Sequence, residues 1–195
     1  KYIKYKLRAC KRINIICNHY KLKNNISEKD LINIINGLNK DNTVDGILLQ
    51  LPLPEHLNSS IIIENINPRK DVDGLHSYNI GKLTELKKYP NNIASINFII
   101  PPTALGIIKI LEYQDINFTG KNAVVIGRSN IVGKPISSLL LAKNCTVTIC
   151  HSYTTNIQDI VKNADILVVA VGVPKLVKKK LDKTRSIYHR RRYEL

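Results

Sequence analysis

The sequence predicts an α/β protein built as two lobes, and three observations predict it. Residues 118–172 run strand, helix, strand, helix, strand with short turns between them. Residues 25–66 alternate helical apolar spacing with an apolar run of strand length. Between the two stretches lies KKYPNNIASINFII (87–100), which has neither period and reads as connecting chain. The 195 residues suffice for two small lobes, and the 44% apolar fraction is ordinary for a globular protein. No apolar run approaches the ~20 residues that span a bilayer. No signal-peptide pattern opens the chain. The chain has no Met, even at position 1, so its natural start is expected to lie upstream.

The first lobe begins with KYIKYKLRACKRI (1–13), read as a helix with Ile3, Leu7 and Cys10 on one side. Residues 15–22 are expected to form a strand. Ser27, with Asp30 three residues on, resembles a capping box opening a helix whose apolar face is Leu31, Ile34, Ile35 and Leu38. VDGILLQLPLP (44–54) reads as a buried strand that ends at Gln50, because Pro52 cannot donate to a sheet ladder. A buried amide left unpaired costs roughly 1–3 kcal/mol, so Gln50 predicts polar partners at the end of that strand. A short helix over 59–66 and a loop over 68–79 complete the lobe. The alternation predicts a parallel sheet.

The second lobe starts with a helix over 104–113, for which Thr103 is the expected cap. NAVVIG (122–127) reads as a buried strand, and RSNIVGKP leads into the helix ISSLLLAK, ended by Asn144. TVTIC (146–150) is the second strand, TNIQDIVKNA a short helix, and DILVVAVG (165–172) the third strand. That order is the mononucleotide-binding half of a Rossmann fold.

The net charge of +15 sits at the two ends. Residues 1–24 carry +8, residues 175–195 carry +7, and the long middle is neutral. A nucleic-acid-binding protein with a Rossmann core is one reading of such ends. The neutral middle and the lack of a nucleic-acid module favour a solvated helix and tail instead. Cys10, Cys17, Cys145 and Cys150 form no CxxC pair, and Cys145 and Cys150 fall on opposite faces of their strand. Metal or disulfide pairing between them is therefore not expected, and a reduced, intracellular setting is.

Three stretches carry chemistry. In GRSNIVGKP (127–135), Gly127 and Gly133 permit close backbone approach and Pro135 suits a first helical turn. Ser129 and Val132 lie between them, and the helix start offers N–H groups to a pyrophosphate. The second strand ends in CHSYTT (150–155), where an NAD enzyme usually places an acid for the ribose hydroxyl. Arg128 with the hydroxyls of Ser152 and Thr154 suits a 2′-phosphate, which points to NADP. His151 is a phosphate neighbour or a structural group, and Gly172 ends the third strand beside the same crevice. In the first lobe, Tyr2 and Lys6 share a helix face, and a lysine in a closed pocket is a candidate proton carrier. Most helical lysines are merely solvated. KDVDG (70–74) sets Asp71 and Asp73 on one side of an extended segment. Mg²⁺, a two-bond contact to an amino-pyrimidine edge, and a plain turn before Gly74 are its readings.

Together YIKYKLRAC (2–10), VDGILLQLPLP (44–54), PRKDVDGLHSYNIGKL (68–83), PPTALGIIKIL (101–111), the 120–154 segment and ADILVVAVGVP (164–174) resemble one family. It is the bifunctional methylenetetrahydrofolate dehydrogenase/methenyltetrahydrofolate cyclohydrolase family, matched over nearly all of 2–177. The resemblance implies NADP-linked oxidation of 5,10-methylenetetrahydrofolate and hydrolysis of the methenyl product. The setting implied is one-carbon metabolism and purine biosynthesis; the cytoplasm is the default expectation, with mitochondria or another organelle left open. It implies a folate substrate, a homodimer, no metal, no membrane and no nucleic acid. Lys6 would handle protons, Tyr2 would stack on the folate ring system, Gln50 would bond near Lys6, and Asp73 would hold the pterin amino edge. Leu51 and Pro52 would wall the pocket. Arg128 and Ser152 would contact the 2′-phosphate, and the Gly127–Gly133 loop would carry the pyrophosphate. The lobes implied are 1–100 for folate and catalysis and 101–178 for NADP, followed by a non-matching basic tail at 179–195, expected to be disordered. PPTALG replaces the family's PCTPxG, Asn14 stands where glycine is common, and the family's outermost segments are expected to be absent at both ends. The competing expectation is an inactive or fragmentary homologue that acts only as a binding protein.

Overall fold

A four-stranded sheet forms the second lobe, one strand more than the sequence predicts. The protein is described by a computed structural model over residues 2–172 and 187–190. The strands are β1 (Asn122–Ile126), β2 (Thr146–Cys150), β3 (Ile166–Val169) and β4 (Ile187–Arg190), in the order β2-β1-β3-β4. All three pairings are parallel, with Ala123 opposite both Val147 and Ile166. The central strands are buried on both faces, as near-continuous runs of Val and Ile require.

Helices cover each face. One side packs Ala123, Val125, Ile166 and Val168 against α5 (Pro102–Tyr113) and α6 (Gly133–Ala142), through Ile107, Ile108, Ile136, Leu139 and Leu140. The other packs Val124, Ile126 and Leu167 against Val161 of α7 (Ile157–Lys162). Cys145 and Cys150 belong to opposite layers, and all four cysteines are free thiols. Burial, with Asp165 nearby, pushes the Cys145 thiol up to about 11, so it stays a neutral packing group. Asn144 ends α6 in the left-handed region at φ 66°, and Cys145 N–H returns to Leu140 O at 3.0 Å.

The first lobe is built on α1 (Tyr2–Arg12), α2 (Glu28–Lys40) and α3 (Ser59–Glu64), with Leu31, Ile35, Ile47, Leu57, Ile62 and Ile66 as its core. Ser27 caps α2 as its spacing predicts: its Oγ accepts from Asp30 N–H at 3.0 Å. A further helix, α4 (Ser77–Thr84), carries Leu83 into the core of the second lobe.

Several expectations are corrected. Residues 15–22 are not a strand; Ile16 is 92% exposed, and no strand lies beside them among the described residues to take up their N–H and C=O groups. The 44–50 strand reduces to one parallel bridge, Ile47 to Asp71, so Ile47 is buried while Leu48 and Gln50 are exposed. Thr103 does not cap α5, which starts one residue earlier at Pro102 with no side-chain cap. Residues 77–79, read as loop, begin α4, because the His76 ring nitrogen caps Tyr78 N–H at 3.0 Å. The third strand stops at Val169 rather than Gly172. In the tail, Ile187–Arg190 add as β4, where a β-branched and an aromatic residue suit the open edge of β3; the rest of 173–195 lies outside the described residues.

Candidate functional site

The first lobe gathers its candidates around the 44–54 segment. Lys6, half-buried on α1, donates from Nζ to Gln50 Oε1 at 3.4 Å, across 44 residues of sequence. The Gln50 amide nitrogen donates to its neighbour Leu51 O at 2.9 Å, which fixes the carboxamide with its oxygen toward the lysine. The Leu51–Pro52 peptide bond is cis. Tyr2 opens α1 one turn before Lys6.

KDVDG reaches the same place by way of the Ile47–Asp71 bridge. Ile47 N–H donates to Lys70 O at 2.6 Å, and Val72 N–H to Ile47 O at 3.4 Å. Because the pairing is parallel, Gln50 and Asp73 both lie beyond the bridge in the same direction. Each residue of the motif has its own task. Lys70 Nζ donates to Leu38 O, Asn39 O and Asp41 O at 3.0, 2.9 and 2.7 Å, closing the end of α2. Asp71 is 2% exposed and accepts from His76 N–H and Asn79 Nδ2 at 2.8 and 3.1 Å. Gly74, at φ 64°, lies so near the inter-lobe chain that an added Cβ would stand 2.7 Å from Ile99 O. Asp73 is half-buried. The two carboxylates are therefore not a joint claw, because Asp71 is consumed by protein donors. Among the described residues no group of three His, Cys, Asp or Glu could hold a metal ion.

The second lobe builds a cradle at the carboxyl end of β1. Gly127 adopts φ 114°, and a Cβ on it would stand 2.7 Å from Ala170 O. A Cβ on Gly133 would meet Gly127 O at 2.2 Å, so only glycine fits where α6 starts. Val132 is the N-cap and supplies no side-chain oxygen. Ser129 Oγ accepts from Val132 N–H at 3.2 Å and Gly133 N–H at 3.4 Å, and Pro135 is buried in the first turn. The glycines let the 127–133 loop pack directly against Ala170 and the start of α6, and the helix dipole there favours an anion such as a pyrophosphate.

Arg128 leaves this loop toward the end of β2. Its guanidinium carbon lies 5.8 Å from the Tyr153 ring centre. Tyr153 sits in the turn 151–154, closed by Thr154 N–H to His151 O at 2.9 Å and His151 N–H to Thr154 Oγ1 at 2.8 Å. His151 Nδ1 accepts from Tyr153 N–H at 3.2 Å, so the histidine orders the turn. Ser152 is exposed there, and Gly172 lies beyond the end of β3. The structure thus joins Arg128 to the 151–154 turn through Tyr153, a residue with no signal in the sequence except its place beside Ser152. Asn79 was the other residue missed, and only its 0% exposure marks it as special; Asp71, singled out in the sequence together with Asp73, is turned inward to protein donors instead.

The two halves of the chain each match one half of a known enzyme. Residues 1–73 match the tetrahydrofolate dehydrogenase/cyclohydrolase catalytic domain, and residues 101–187 match the NAD(P)-binding domain of the same family. The chain belongs to the tetrahydrofolate dehydrogenase/cyclohydrolase family. The bifunctional protein FolD of Campylobacter hominis is 45% identical over 186 residues, covering 95% of this chain and 62% of its own. The crystal structure of the bifunctional enzyme FolD of Campylobacter jejuni superposes with a TM-score of 0.88 at 38% identity, covering 96% of this chain and 64% of that one. A Trypanosoma brucei FolD, solved with NADP cofactor and inhibitor, superposes at 0.87 with 32% identity, over 96% of this chain and 61% of its own. The chain spans about three fifths of the length of these family members.

Proposed function

We propose that the protein oxidises 5,10-methylenetetrahydrofolate with NADP⁺ and hydrolyses the resulting 5,10-methenyl compound to 10-formyltetrahydrofolate. The observation that carries this reading is the Lys6–Gln50 hydrogen bond, which sets a lysine against a neutral amide within the segment matched by the family's catalytic domain. The nicotinamide supplies the hydride acceptor. The chain's own residues bind, orient and move protons. Asp73 holds the amino edge of the pterin, and Tyr2 stacks on its ring system. Leu51 and Pro52 wall the pocket. In the hydrolytic step water adds to the cationic methenyl carbon, Lys6 takes one proton from it and returns a proton to the ring nitrogen as the C–N bond breaks, and the other proton of the water leaves to solvent. Gln50 keeps the Lys6 nitrogen directed at the reacting carbon without adding a charge. For NADP, the loop from Gly127 to Gly133 carries the pyrophosphate while Arg128, Ser152 and Thr154 face the 2′-phosphate.

The boundary between folate and cofactor lobes is placed at residues 100 and 101. We further propose a homodimer on the edge of β2 that is free among the described residues, supported by the exposed apolar side chains of Ile149 in β2 and Leu141 in α6, at 40% and 62%. A cytoplasmic setting fits the four free thiols, and purine biosynthesis is the consumer of 10-formyltetrahydrofolate that the family implies. Among the described residues no helix is long and apolar enough to cross a membrane.

Loss of the methenyl absorbance tests the hydrolytic half. Lys6→Ala is expected to slow it by about 10²-fold or more, the usual size of a general acid–base contribution. Turnover at the unsubstituted rate would remove Lys6 from the mechanism.

A further inference from the structure

We propose that the buried Asp71–Asn79 pair is the positioning element of the folate pocket, holding Asp73 and the Gln50 segment in register with the cofactor lobe. The proposal rests on the reading of Asp73 as the residue that holds the pterin. Asp71 and Asn79 are 2% and 0% exposed, yet neither sits in a catalytic position. Burying a carboxylate and an amide is costly unless they are hydrogen-bonded, and both are. Those bonds show what the pair holds. The Asp71 backbone is bridged to Ile47, three residues before Gln50. Its carbonyl closes the turn that bears Asp73, accepting from Gly74 N–H at 3.0 Å. Its carboxylate accepts from His76 N–H, fixing the start of α4, and from Asn79 Nδ2. Asn79 donates from the same nitrogen to Pro68 O at 2.9 Å, which sets the entry to KDVDG. The Asn79 oxygen accepts from Ile99 N–H at 3.1 Å, on the last stretch of chain before α5 and the dinucleotide-binding lobe.

The two side chains thus tie together the entry to KDVDG at Pro68, the start of α4 and the inter-lobe chain, and the backbone around Asp71 carries that frame to the Asp73 turn and, through the bridge to Ile47, to the Gln50 segment. The hydride must pass between a folate held by the first lobe and a nicotinamide held by the second, so a link that fixes the two against each other acts on the reaction without touching it. An ångström of misplacement at such a link can cost about 10²-fold.

Tetrahydrofolate and NADP⁺ are titrated separately into the full chain and its variants. Asp71→Ala is expected to weaken tetrahydrofolate binding about tenfold or more, with NADP⁺ affinity and the far-ultraviolet circular dichroism unchanged. Asp71→Asn, whose amide oxygen still accepts from both donors, is expected to restore most of the loss. Asp73→Ala is run beside them, and the double variant Asp71→Ala/Asp73→Ala is expected to bind no worse than Asp73→Ala alone. Should Asp71→Ala not fold, Asn79→Ala carries the same test, since it leaves the His76 bond in place. Unchanged tetrahydrofolate binding by Asp73→Ala, or none by the unsubstituted chain, overturns the pocket reading. A weakened Asp73→Ala beside an unchanged Asp71→Ala or Asn79→Ala overturns the positioning role alone. Equal losses of tetrahydrofolate and NADP⁺ affinity also overturn it, because they mark a general structural role.

Discussion

Arg128 is one charge on an exposed loop, and in the proposed function its placement selects between the two dinucleotides. It reaches over Tyr153 to the turn that ends β2, where the sequence offers hydroxyls and no acid. A guanidinium there matches the oxygens of a phosphate and leaves a bare ribose hydroxyl unserved. Arg128→Ala is therefore expected to raise KM for NADP⁺ about tenfold or more, the scale of one charge-assisted contact, while changing KM for NAD⁺ little. Initial rates with both dinucleotides measure it, and an equal effect on the two would remove the 2′-phosphate role. The loop glycines and the missing acid were legible in the sequence because each is a residue type at a fixed offset from a strand. Tyr153, Asn79 and the inward role of Asp71 were not, since these depend on which segments meet in space. The two carboxylates of KDVDG read alike along the chain, and only the bridge to Ile47 separates an inward Asp71 from Asp73.

At the scale of elements, the second lobe was legible and the first was less so. Strands buried on both faces announce themselves as apolar runs, and β1, β2 and β3 begin where the sequence places them or one residue later. In the first lobe, the apolar runs at 15–22 and 44–50 look like strands, yet a run becomes a strand only beside another. The 44–50 run finds one bridge and the 15–22 run none among the described residues. The helix α4 was hidden because Gly81 interrupts its apolar spacing and a histidine is an uncommon cap. One tie between elements is testable through pH. Glu112 of α5 pairs with Lys109 at 2.8 Å and with Lys143, at the end of α6, at 2.5 Å. Lys143 Nζ also lies 3.8 Å from the ring centre of Tyr89, whose N–H bonds Ala142 O at 2.8 Å, so α5, α6 and the inter-lobe chain meet there. Burial pushes the Glu112 carboxyl up, but its bonds to Lys109 and Lys143 outweigh that and hold it below the ordinary glutamate range. The carboxylate thus stabilises the fold above the pKa it has in the unfolded chain, and that contribution is lost as pH falls through its lower folded value. Glu112→Gln is expected to cost about 1 kcal/mol near pH 7, with the gap to the unsubstituted chain closing below about pH 4. Denaturant unfolding at both pH values checks it; a gap that widens in acid would contradict it.

For the whole molecule, the proposed reaction draws on two lobes of different character. The first supplies Lys6, Gln50 and Asp73 from three separate segments, and the second supplies a glycine cradle and an arginine. The chain between them is held by Asn79 on one side and Tyr89 on the other. The edge of β2 that is free among the described residues predicts a dimer, so sedimentation at micromolar concentration should return twice the mass of 22.1 kDa; a monomer there would leave Ile149 and Leu141 unexplained. Of the basic residues that make up the charge at the two ends, the proposed chemistry uses Lys6; Gln50, Asp73 and the cradle lie in the neutral middle. The most direct test of the central claim is the reduction of NADP⁺ by 5,10-methylenetetrahydrofolate with this 195-residue chain, followed by absorbance with NAD⁺ as the control. The account predicts turnover that is faster with NADP⁺ than with NAD⁺. No reduction of either dinucleotide, from a chain that is folded by circular dichroism, would contradict it.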